Sequence, residues 1–190
     1  MADLPLIGSS RSPVLRLVAA LPLIGLMGMQ SACVTAPAPM TTATAALMDA
    51  QGSVRGSVTI TDGEVLNVHV RAMGLASGVH AVHIHAVGRC DAPDFTTAGP
   101  HWNPMGKSHG KDNPNGPHLG DLPNMTIGAD GAGELTFSVP ARLDAGHHPL
   151  LDSDGAALVV HAGPDDMKTD PSGNSGGRIA CGVIVKSGAN

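Results

Sequence analysis

Tyrosine is absent from the chain, and the remaining aromatic side chains are two Phe and one Trp. The core must therefore be filled by Val, Ile, Leu, Ala and Met. Basic residues are scarce: 11 Lys and Arg stand against 16 Asp and Glu, for a net charge of −5 with His neutral. That balance argues against a general nucleic-acid binder, whose surface is normally basic. Amphipathic helical periodicity is also missing. In its place, 25 Gly and 15 Pro mark many turns and long loops. Cysteine is limited to three residues, whereas histidine reaches ten, more than a solvated surface requires.

Residues 1–33 read as an export signal. Arg11 and Arg16 supply positive charge ahead of the mostly apolar run Leu17–Met29, which has 13 residues. A bilayer span takes about 20. The run ends in Ser31 and Ala32 directly before Cys33, which resembles a bacterial lipobox, except that Gln30 stands where Leu is usual. Lipidation of Cys33, which would anchor the protein to a membrane, and ordinary cleavage of the leader both fit. Residues 34–45, rich in Ala, Thr and Pro, read as a flexible tether. Residues 46–190 form the folded domain, about 150 residues with one core.

Within that domain, short alternating runs are separated by turn residues. Val54–Thr61 and Val65–Ala72 read as a hairpin across Asp62-Gly63. Val79–Val87 is a third strand, with Val82 and Ile84 on one face. Met125–Ile127 and Glu134–Val139 read as a second hairpin across Asp130-Gly131. Ala156–His161 is a buried strand, and Ile179–Val185 closes the chain. Residues 88–123 and 162–177 are long polar loops, and loops of that length inside a compact domain usually carry function. The expected fold is an all-β sandwich or barrel bearing two large functional loops.

His83 and His85 alternate on a strand, so both imidazoles face one side. His101, His109, His118 and Asp121 lie within 21 residues of Gly- and Pro-rich loop that lacks a hydrophobic core to order it. A metal ion supplies such order, and three imidazoles with one carboxylate suffice for tetrahedral zinc. His161 ends the apolar run Leu158-Val159-Val160, where a hydrogen-bonded core histidine is the plainer reading. Six His and one Asp exceed one zinc site and fall one short of two four-ligand sites. One imidazole using both ring nitrogens closes that gap, and an all-nitrogen site favours copper. Spacing thus points to two adjacent metals.

The stretches G-V-H-A-V-H-I-H at 78–85, A-G-P-H-W-N-P at 98–104, G-P-H-L-G-D-L-P-N at 116–124, H-A-G-P-D-D at 161–166 and G-G-R-I-A-C-G-V-I at 176–184 resemble the copper–zinc superoxide dismutase family in its bacterial exported form. The resemblance spans residues 45–186. It implies an eight-stranded Greek-key barrel or sandwich of immunoglobulin-like form, with one copper and one zinc per subunit. It assigns His83, His85 and His161 to copper alone, His101 to both metals, and His109, His118 and Asp121 to zinc. It makes Asp165 a carboxylate that orients His83 and His109, and Arg178 the cation beside the open copper position. Arg178 and His101 become the catalytic residues for disproportionating superoxide, with His101 taking up and returning a proton. Cys90 and Cys181 become a disulfide. Periplasmic or cell-envelope localisation follows, with protection from extracytoplasmic superoxide as the role.

The resemblance includes homodimers among the expected assemblies. The segment between His161 and Arg178 carries one Lys, so Lys168, Lys107 and Lys111 are the candidates for steering the anion. His69, His80, His147 and His148 match no ligand position. The competing readings are a metal buffer or delivery protein, a copper-only enzyme, and an adhesin-like sandwich with incidental histidines.

Overall fold

The computed structural model describes residues 40–188. Ten strands make up its regular structure, with one short 3₁₀ turn at Thr96–Ala98. In chain order they are β1 (Thr41–Met48), β2 (Val54–Asp62), β3 (Leu66–Ala72), β4 (Gly78–His80), β5 (Val82–His85), β6 (Met125–Ile127), β7 (Gly133–Val139), β8 (Ala157–His161), β9 (Arg178–Val183) and β10 (Val185–Lys186). Eight of them form one curled sheet in the order β5-β8-β9-β1-β2-β3-β7, with β10 beside β1. β4 and β6 pair separately. All strand pairings are antiparallel. The all-β expectation and its two long loops are borne out.

Strand alternation builds the main core. Val58 and Ile60 of β2, Leu66, Val68 and Val70 of β3, and Val82 and Ile84 of β5 point into it. The β2–β3 hairpin forms as expected, in register from Gly56↔Ala72 to Asp62↔Leu66. Two expectations are corrected. The stretch read as tether up to residue 45 already contains β1 from Thr41, which runs between β2 and the β9–β10 segment. Its inward residues Ala43 and Ala45 are small, so a strand at the centre of the sheet carries a weak hydrophobic signal. The second hairpin is also divided. Gly131 N donates to Gly128 O in the expected turn, but β6 pairs with β4 while β7 pairs along its length with β3.

β8 is buried on both faces, which accounts for its unbroken apolar run. Leu158 and Val160 enter the main core. Ala157 and Val159 pack with Phe95, Ala98 and Cys181 in a second cluster beneath the loop after β5. The Cys90–Cys181 disulfide fastens that loop to β9.

Candidate metal centre

β5 is the platform of the site. Its apolar side chains face the core, so His83 and His85 share the opposite side, and both are buried. One long edge of β5 pairs with β8, which brings up His161. The other edge is covered twice by the loop of residues 86–124. Trp102 N donates to Ile84 O at 2.8 Å, and Ile84 N donates to Gly120 O at 2.9 Å. These passes set His101 opposite His85 and Asp121 opposite His83. Backbone pairing thus joins residues that are far apart in the chain.

The His101 ring is central. Its centroid lies 4.0 Å from His83, 4.9 Å from His85, 5.2 Å from His109, 5.5 Å from His118 and 6.2 Å from His161. On one side, the ligand atoms of His83, His85, His101 and His161 all lie within 4.8 Å of one another. On the other side, Asp121 Oδ1 lies 2.9 Å from His101 Nδ1, 3.0 Å from His109 Nδ1 and 3.1 Å from His118 Nδ1. A second compact group of donors, also within 4.8 Å, is His83, His101, His109 and Asp121. His83 Nε2, however, is engaged by Asp165 at 2.8 Å.

Whether the site suits metals can be tested on its nitrogens. Among the described residues, four buried side-chain polar atoms have no hydrogen-bond partner: His83 Nδ1, His85 Nε2, His101 Nε2 and His161 Nε2. A buried orphan of this kind costs about 1–3 kcal/mol. These are one atom from each imidazole of the all-nitrogen group, which suits copper. The group around Asp121 is three nitrogens and a carboxylate, which suits zinc.

Protonation follows the same division. Burial is the main cause that holds His85 down to about 2, His161 to about 3 and His101 to about 4, so these rings are neutral donors near neutral pH. His109 differs. Burial opposes its charge, but hydrogen bonds to Asp121 and Asp165 outweigh burial and raise it to about 9. Burial likewise opposes ionisation of Asp121, yet hydrogen bonds from His101, His109 and His118 hold it far below the usual carboxylate range. Asp121 therefore presents a fixed negative charge to any cation.

Asp165 bridges the two halves. Its carboxylate lies 2.8 Å from His83 Nε2 and 2.9 Å from His109 Nε2. Asn124 holds the backbone of Asp165 from both sides, donating to its O at 2.9 Å and accepting from its N at 2.8 Å. Asp170 accepts from His109 N. Asn124 and Asp170 carried no role in the sequence reading. Asn124 lay inside a recognised motif, but a clamp on backbone 41 residues away leaves no local signal.

A cavity of about 710 Å³ opens onto His85, His101, His161 and Arg178. The Arg178 guanidinium donates to Phe95 O at 2.7 Å and Gly99 O at 2.9 Å. Gly99 O also accepts from His85 Nδ1 at 2.8 Å, so one carbonyl aligns the cation with an imidazole. Asp152 also lines the cavity, while Lys107, Lys111 and Lys168 do not. His69 faces Glu134, and His147 and His148 line a separate small cavity. His80 is buried, with its ring nitrogens 2.8 Å from His161 O and 2.9 Å from Ala76 O. Cys33 lies outside the described residues.

An all-β domain with two adjoining ligand sets, a central imidazole and a cavity that holds an arginine fits a binuclear metalloprotein. A profile of the family described as Copper/zinc superoxide dismutase (SODC) matches residues 54–184, and the chain belongs to this family. It is 44% identical over 149 residues to the Cu-Zn superoxide dismutase of Caulobacter vibrioides, covering 75% of this chain and 84% of that protein. Against the Cu-Zn superoxide dismutase of Deinococcus radiodurans, identity is 37% over 182 residues, with 89% and 97% covered. The crystal structure of a SOD-like protein from Bacillus subtilis superposes with a TM-score of 0.71 at 41% identity, covering 75% of this chain and 97% of that one. The protein is thus an oxidoreductase of the superoxide dismutase class, with copper and zinc as its metals.

Proposed function

We propose that the domain converts two superoxide anions and two protons into dioxygen and hydrogen peroxide. The observation that carries this reading is the convergence of four orphaned imidazole nitrogens beside a cavity that also holds Arg178. His83 Nδ1, His85 Nε2, His101 Nε2 and His161 Nε2 would hold one copper per subunit. His101, His109 and His118, through Nδ1, and Asp121 would hold one zinc. His101 is then the shared ligand. Copper supplies a one-electron reservoir, and zinc supplies a fixed positive charge.

The chain's own residues do the rest. Arg178 draws the anion into the cavity and orients it by charge-assisted hydrogen bonds. The first superoxide loses an electron and leaves as dioxygen. The second gains an electron and two protons and leaves as peroxide. His101 would take up a proton at Nε2 only while that nitrogen is not engaged by copper, and would deliver it to the second anion. Asp165 keeps His83 and His109 in the tautomers that ligation requires.

The disulfide and the leader-like residues 1–33 support export to the periplasm or cell envelope, where the role is defence against extracytoplasmic superoxide. Cys33 is the proposed lipid attachment point, and mass spectrometry of the native N-terminus tests it. Sedimentation of the mature domain tests for a homodimer. For the activity, metal analysis is combined with a superoxide-consumption assay. Near-equimolar copper and zinc, with activity lost on copper removal, is the expected result. Full loading without activity would leave a metal-buffering role.

A further inference from the structure

We propose that Ser175 is a positioning residue that tunes the copper centre through His161, a role that rests on the assignment of His161 as a copper ligand. Ser175 lies in the loop between β8 and β9 and is fully buried, at 0% exposure. Its Oγ lies 3.1 Å from His161 Nδ1, and Gly176 O lies 3.2 Å from the same nitrogen. A carbonyl oxygen only accepts, so Nδ1 carries the ring proton, and the Ser175 hydroxyl is its second acceptor. Nε2 is then unprotonated, and it is the atom left without a protein partner. The two acceptors therefore fix the tautomer that presents the Nε2 lone pair to a metal.

Ser175 is itself held in place. Its carbonyl accepts from Gly163 N at 2.9 Å, and Ala162 N donates to Gly177 O at 2.8 Å. These bonds tie the segment before Arg178 to the segment after His161. The Gly176 contribution is backbone and survives substitution. The Ser175 hydroxyl is the acceptor that a side chain supplies. Accepting from Nδ1–H raises the basicity of the imidazole, which favours Cu(II) over Cu(I). Ser175 thus lowers the potential at which copper cycles.

The test compares the wild-type protein with Ser175→Ala and Ser175→Cys in two measurements. Cysteine keeps a small side chain but accepts hydrogen bonds weakly, so both variants act in the same direction, and either one suffices if the other fails to fold. On copper-loaded protein, spectroelectrochemistry reads the midpoint potential. Because Gly176 O remains, Cu(II) affinity should fall roughly three- to tenfold, less than the roughly 10–100-fold for complete loss of an outer partner. With Cu(I) affinity unchanged, that converts to a midpoint about 30–60 mV more positive. On metal-free protein, imidazole ¹⁵N NMR should show the His161 Nδ1–H resonance displaced and exchanging faster with solvent. An unchanged potential with an unchanged ring resonance overturns the proposal. If the wild-type protein takes up no copper, the proposed activity fails, and the NMR comparison alone decides the role of Ser175.

Discussion

His109 stands between the carboxylates of Asp121 and Asp165, and the chemistry of the centre turns on such single contacts. Asp165→Asn keeps the shape but removes the charge that orients two imidazoles. Zinc affinity should fall roughly 10–100-fold, read by competition with a chromophoric chelator. Arg178 is the cation proposed to face the anion, and its guanidinium is already fixed by Phe95 O and Gly99 O. Arg178→Ala should lower kcat/KM at low superoxide by roughly 10–100-fold while leaving metal content unchanged. Full activity in that variant would remove Arg178 from the mechanism. Both residues were legible in the sequence only through motif resemblance. Alone, Asp165 reads as a loop charge, and Arg178 as a surface cation near the start of a strand.

At the scale of elements, the loop between β8 and β9 is held by close approach. Gly173 adopts φ +64°, and a Cβ there would meet Asp165 Oδ1 at 1.8 Å and His109 Nε2 at 2.7 Å. Gly173→Ala should therefore push Asp165 off His109 and weaken zinc retention as much as loss of the carboxylate does. Equal zinc affinity in this variant would count against the clamp. β8 offers a packing test. Val159 is fully buried on the face covered by the disulfide-linked loop. Val159→Ala should cost about 1–3 kcal/mol, measured by urea unfolding, whereas Thr59→Ala on the exposed face of β2 should stay within about 0.5 kcal/mol. β8 was legible because its apolar run is continuous. β1 was not, because Ala43 and Ala45 resemble the Ala- and Thr-rich segment before them.

For the molecule as a whole, the disulfide spans 91 residues. Replacing both cysteines by serine should remove roughly 2–5 kcal/mol and also free the loop that carries Phe95 O and Gly99 O, so stability and anion capture should fall together. Acid sensitivity follows from the buried rings. His85, His101 and His161 titrate far below the ordinary 6.5 in the folded state. Between about pH 6.5 and 4 the unfolded chain binds protons that the folded metal-free domain does not, so stability falls as pH falls through that window. His109, raised to about 9, acts oppositely, with its stabilisation present below 6.5 and lost as pH rises through 9. Three depressed rings outweigh one raised ring in the acid window. The metal-free domain should therefore unfold at lower urea concentration at pH 5 than at pH 7, and the reverse order would contradict the burial of these imidazoles.

The sequence by itself determined the all-β class, the β2–β3 hairpin, the two functional loops and the identity of the metal-ligand candidates. Strand alternation, turn residues and clustered histidines are local properties, readable over a few positions. The tertiary structure alone decided that β1 is central, that β6 and β7 part company, and that Asn124, Asp170, Gly173 and Ser175 support the site. It also decided that His101 sits against all five other imidazoles of the cluster. Each of these depends on contacts between segments distant in the chain. Those contacts form only when the loop after β5 is pinned twice to the edge of β5 and the loop after β8 folds back against it.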